Sequence, residues 1–247
     1  MKKLILISSL LAAGTLAANA KLILSENFVK ETETTENPTG WTSLQWNGTN
    51  TPHFKYNSNG AIVNYSWKQN GLERSLSISS DLEYTINFKT YATQADQEAM
   101  FYLSSSNYSI LIGNSYNSNN YVSVGTTRGA VSNFHSFQNG NNRIVVTAVS
   151  TSQSSSVNVS GILNYTLSLK AGELGIKVID TSSNEWVQTI NVGSDFSFDK
   201  VGFILDGPQY VVGVQDITIT AVPEPSAFGL LAGLGALALV GARRRRK

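Results

Sequence analysis

The 247-residue chain contains no cysteine, which excludes a disulfide frame, a thiol nucleophile and a zinc–thiolate site. Histidine is nearly missing as well. His53 and His135 are far apart, and neither has an adjacent acid or a second ligand at metal spacing, so both read as exposed loop residues. A Ser-His-Asp triad has no Gly-x-Ser-x-Gly elbow to support it. No glycine cluster follows a strand and opens a helix, as a phosphate loop requires. Helical periodicity is scarce throughout. The expected catalytic, metal and cofactor sets are therefore empty.

What the chain does have is an apolar run at each end. In Met1 to Ala20, Lys2 and Lys3 precede the apolar stretch Leu4 to Leu11, and the segment closes on Ala18-Asn19-Ala20. That order is the signal-peptide pattern, with signal-peptidase cleavage expected after Ala20 and passage through the secretion translocon. At the other end, Ser226 to Ala242 carries no charged side chain. At ~1.5 Å per helical residue it spans roughly 25 Å, a short membrane helix. Arg243, Arg244, Arg245, Arg246 and Lys247 follow as a cationic stop, which keeps the C-terminus cytoplasmic. Just before the span, Pro223 and Pro225 flank Glu224. Both prolines lack a backbone N–H and hold this stretch extended.

The order Pro223-Glu224-Pro225, apolar helix and basic end resembles the PEP-CTERM sorting signal of bacteria. The resemblance implies transient anchoring in the inner membrane, processing by an exosortase-like membrane enzyme, and a final place at the cell surface or outside the cell. An ordinary membrane anchor is the competing reading.

Between the two signals lies one domain, residues 21–221, with the sorting signal taken as 222–247. The signals hold seven of the 18 basic residues and one of the 17 acidic ones, leaving a domain of 11 basic and 16 acidic side chains. Its net negative charge argues against nucleic acid as a partner. Short strand patterns separated by Asn, Ser and Gly fill the domain. Glu83 to Tyr91 alternates with Tyr84, Ile86 and Phe88 on one face, and Tyr165, Leu167 and Leu169 repeat the pattern. Lys21 to Phe28 is expected to pair with Val214 to Thr220, bringing the termini together. Gln94 to Met100 reads as one helical turn, and Ser150 to Ser156 as a flexible loop.

About a dozen antiparallel strands with almost no helix predict an all-β, jelly-roll β-sandwich of two sheets. The opening Leu22 to Phe28, Gly40-Trp41, Phe198 to Phe203 and Val214 to Thr218 give it a diffuse resemblance to the concanavalin A-like and laminin-G sandwiches. No functional residue carries across. Jelly-roll glycosidases place paired carboxylates on alternate strand positions, but their Glu-x-Asp-x-x-Glu pattern is absent. Asp96-Gln-Glu98 reads as a solvated loop, Asp206-Gly-Pro208 as a turn, and Asp180 to Glu185 as a hairpin turn in which calcium is a minor alternative.

Aromatic residues crowd one polar stretch. Trp41, Trp46, Tyr56 and Trp67 form a candidate glycan-binding platform, since aromatic faces stack on sugar rings while neighbouring amides bond hydroxyls. Core packing is the competing role for these rings. The expected function is an exported, non-enzymatic surface or extracellular-matrix module. A carbohydrate-binding module for extracellular polysaccharide is the first alternative, and a glycoside hydrolase the second.

Overall fold

The computed structural model describes residues 20–32, 34, 36–45, 54–63, 70–93, 97–106, 108–114, 122–128, 151–154, 157–158, 160–207 and 211–223. Fifteen strands run through them: β1 Lys21–Glu26, β2 Thr42–Gln45, β3 Phe54–Asn57, β4 Gly60–Val63, β5 Asn70–Ile78, β6 Leu82–Ala92, β7 Glu98–Ser104, β8 Tyr108–Asn114, β9 Val122–Arg128, β10 Thr151–Ser154, β11 Gly161–Lys170, β12 Glu173–Ile179, β13 Glu185–Asn191, β14 Phe198–Asp206 and β15 Val212–Pro223. No helix occurs among the described residues. The predicted signal helix and C-terminal span lie outside them, apart from Ala20.

The strands form two antiparallel sheets. One orders its strands β13-β12-β11-β6-β15-β4-β3. The other runs β10-β9-β8-β7-β14-β5-β2. β15 is the axis of the first sheet. One edge pairs with β6, while the opposite edge is shared by β4 at Gly213 and Val214 and by β1 from Ile217 to Ala221. The expected pairing of the first and last strands is thus present, with Lys21 opposite Ala221.

Period-two alternation explains why these segments are strands. Along β6, Tyr84, Ile86 and Phe88 are buried while Asn87 is exposed, so each strand presents one apolar row to the partner sheet. Phe88 stacks on Tyr165 within its own sheet at 4.5 Å. Across the core it stacks on Phe101 at 4.3 Å and meets Phe203 edge-on at 5.7 Å. Each such ring pair adds ~0.5–1.5 kcal/mol to the burial of the rings themselves.

Three readings of the sequence are corrected. β7 begins at Glu98, so the last part of Gln94 to Met100 is strand: Ala99 faces the core beside Phe101 and Leu103, and that burial overrides the local helical preference. Thr151–Ser154 is a strand paired with β9, not loop. β15 continues to Pro223, three residues past the expected strand end at Thr220. β2 and β3, unforeseen in the sequence, complete the two sheets.

Candidate functional site

The outer face of the first sheet carries a polar groove. On β11, β6 and β15 the core-facing residues alternate with outward polar ones, and the register aligns Thr166 with Asn87 and Asn87 with Thr218. The Thr166 hydroxyl donates to Asn87 Oδ1 at 2.9 Å, and Asn87 Nδ2 donates to Thr218 Oγ1 at 3.4 Å. This makes one hydrogen-bonded row across three strands. The next row places Asn164 opposite Lys89 and Lys89 opposite Gln215.

Here the ladder is interrupted. The β6–β15 register shifts between Gln215 and Thr218, and Asp216 adopts φ +37°, a left-handed conformation uncommon outside glycine. The bulge turns the Asp216 carboxylate onto Lys89, with Oδ2 2.9 Å from Nζ. The resulting concavity holds about 330 Å³ and is lined by Asn87, Lys89, Asn164, Thr166, Asp216 and Thr218, over the backbone of Phe88 and Tyr165. Amides, hydroxyls and one mutually neutralised ion pair supply hydrogen-bond donors and acceptors in nearly equal measure. That chemistry suits an uncharged, polyhydroxylated ligand. It offers no activated nucleophile.

The outer face of the second sheet holds a buried polar cluster. Glu73 Oε2 accepts a hydrogen bond from the Tyr102 hydroxyl at 3.0 Å, and its Oε1 lies 2.9 Å from Lys200 Nζ. Burial, then the Glu73 charge, pushes the Tyr102 hydroxyl well above its ordinary pKa, so the phenol stays protonated as a donor. Gly202 makes this possible. A Cβ there would run into the Tyr102 ring and come within 2.6 Å of the Leu72 carbonyl. Ser104 and Ser109 share a hydrogen bond at 2.9 Å on neighbouring strands, and both are buried. The cluster holds β5, β7 and β14 in register with its polar atoms paired, which is a structural role.

Two members of the expected aromatic platform lie in the core. Trp41 is buried against Phe28 at 5.1 Å and Phe203 at 6.2 Å, and Tyr56 is wholly buried. Packing, not stacking on a ligand, has claimed both rings. Burial, reinforced by the Glu26 charge, raises the Tyr56 hydroxyl far above its usual range. Trp46, Trp67, His53 and His135 lie outside the described residues, as do Glu224, Pro225 and the Arg243–Lys247 block. Pro223 ends β15, opposite Leu82.

Asp180 is a turn hub. Its Oδ1 accepts from the backbone N–H groups of Ser182 and Asn184 at 2.8 and 2.9 Å, and Oδ2 accepts from the Asn158 N–H at 2.9 Å and Asn184 Nδ2 at 2.8 Å. Four donors converge on one carboxylate, which commits its oxygens to the β12–β13 turn. Among the described residues, no group of three or more acidic or histidine side chains is placed to hold a metal ion. Sequence reasoning missed that Glu98 on β7 is the backbone register partner of Asp206 on β14. It also missed the groove, which joins residues as distant as Asn87 and Thr218, 131 positions apart, and whose decisive feature is a bulge.

Comparison with known proteins adds two findings. Residues 221–246 match the PEP-CTERM protein-sorting motif. No curated protein matches the sequence. Among solved structures, the chain is similar to the CBM2 module of the evolved Dit of Lactobacillus casei BL23 phage J-1, with 12% identity, a TM-score of 0.54 and coverage of 83% of this chain and 96% of that one. It is also similar to the exoplasmic/lumenal domain of VIP36 in its Ca2+/Man2-bound form, with 11% identity, a TM-score of 0.50 and coverage of 81% and 87%. The metal-free VIP36 domain gives a TM-score of 0.50 at 10% identity, covering 83% and 93%. At such identities the likeness is one of fold alone, a β-sandwich of two antiparallel sheets.

Proposed function

We propose that the chain is exported, held in the inner membrane by its tail, and processed at the sorting motif by an exosortase-like enzyme, which delivers the sandwich to the cell surface or matrix as a non-enzymatic module. The observation that carries this reading is the sorting motif at residues 221–246. The motif begins on the closing residues of β15, so a cut beyond Pro223 would leave that strand whole. Fractionation of the producing cells tests it. Wild type should leave the inner membrane, and Glu224→Ala should stay there at full length; equal distribution of the two would refute the assignment.

A second reading concerns what the delivered domain binds. The groove on β11, β6 and β15 favours a neutral glycan, since its side chains are amides, hydroxyls and a balanced ion pair. It replaces the Trp41 and Tyr56 part of the expected platform. Glycan-array binding by the released chain, lost in Asn87→Ala, is the test.

A further inference from the structure

The sorting motif and the folded domain overlap. The match begins at residue 221, yet Ala221, Val222 and Pro223 are still strand, paired with Tyr84, Glu83 and Leu82 of β6. On the opposite edge of β15, Lys21 of β1 pairs with Ala221 and Leu22 with Thr220. The start of the motif is thus held from both sides. Glu224 follows one Cα step of about 3.8 Å beyond the last rung, with no linker between. The ends of these strands are tied further, because Glu83 Oε1 lies 2.5 Å from Lys170 Nζ on β11.

An enzyme that captures an extended segment as an added strand binds it through main-chain hydrogen bonds, which need free backbone groups on that segment. Here the N-terminal flank of Pro223-Glu224-Pro225 already has its backbone groups engaged by neighbouring strands. Resting on the sorting assignment above, we infer that the sandwich shields the start of its own sorting motif, and that the processing enzyme captures the motif only when residues 221–223 unpair from β6 and β1. The terminal rung favours such opening: Pro223 has no N–H to donate, and strand ends open at low free energy compared with the core. Cleavage rate then depends on fraying of one strand end. Substrates enter processing already folded, and the strand recloses on the domain after the cut.

The experiment uses the full-length chain in the producing cell. The chain has no native cysteine, and Glu83 and Val222 are register partners, a separation that a disulfide can bridge. In Glu83→Cys/Val222→Cys, with the bond verified by thiol labelling, the oxidised chain should remain uncut in the inner membrane, while Val222→Cys alone is cut at the wild-type rate, Glu83→Cys alone, which loses the tie to Lys170, is cut at least as fast, and reduction restores cleavage. A Gly-Ser-Gly-Ser insertion between Val222 and Pro223, which moves the intact motif off the sheet, should speed cleavage several-fold. Cleavage of the oxidised pair at the single-variant rate, or an insertion without acceleration, would overturn the shielding while leaving the sorting assignment intact. Retention of the tail on wild type and every variant would remove both.

Discussion

Lys21 and Ala221 are direct partners on adjacent antiparallel strands, so the first residue expected after signal-peptide removal stands beside the first residue of the sorting motif. One sheet rung therefore joins the two ends expected for the mature domain. Cuts before Lys21 and beyond Pro223 would leave every described strand whole.

Trp41 and Tyr56 give the first prediction. Trp41→Ala removes a ring packed on Phe28 and Phe203 and should cost ~3–5 kcal/mol in denaturant unfolding. Tyr56→Phe should be neutral or stabilising, because the Tyr56 hydroxyl is buried with no hydrogen-bond partner among the described residues. Loss of ligand binding at unchanged stability in Trp41→Ala would restore the platform instead.

Asp180 makes stability depend on pH at the acid end. Its hydrogen bonds, led by those from Asn158 and the Asn184 side chain, hold the carboxyl at about 2, below its ordinary value of 3.8. A lowered folded pKa contributes stability that is present above the ordinary value and lost as pH falls through it toward the folded one. The Tm advantage of wild type over Asp180→Asn should be constant from pH 7 to about 5 and vanish near pH 2. A difference independent of pH would contradict this.

Neighbouring turn residues should respond with opposite signs. Ala171 and Gly172 close the two-residue β11–β12 hairpin with φ +48° and +81°, a turn that demands left-handed residues at both positions. Gly172→Ala would place its Cβ 2.7 Å from Gly193 C and Ser194 N, and should destabilise by about 1–3 kcal/mol. Ala171→Asn should stabilise by up to about 1 kcal/mol. Thermal unfolding of the two variants decides.

Asp216 separates binding from stability in the groove. Its ion pair with Lys89 is exposed on both sides, so it contributes at most about 1 kcal/mol. Asp216→Gly keeps the bulge, relieves the φ +37° backbone and removes the carboxylate. Its Tm should hold or rise while glycan binding falls at least tenfold in titration calorimetry. Unchanged affinity would remove the groove from the account.

Much of the sandwich is legible in the sequence, for a local reason. β6 and β11 alternate over their whole lengths, and a period of two needs no tertiary information. Pairing of the first and last strands was also readable, from two apolar runs at opposite ends. β2 and β3 were not. β2, Thr42-Ser-Leu-Gln45, is too short and polar to show a period and is strand through its pairing with β5, while β3 is strand because Phe54 and Tyr56 are buried. Glu98 illustrates the same limit, since its partner across the sheet is Asp206 and nothing local announces it. The groove was hidden because it depends on register across three distant strands and on one left-handed aspartate. The sorting tail, by contrast, is a linear signal, so its order and spacing suffice.

Intact-mass measurement of the chain recovered outside the inner membrane tests the central claim most directly. The account predicts a species that begins at Lys21 and ends between Pro223 and Pro225, with the tail absent. A chain that still extends through Lys247 would contradict it.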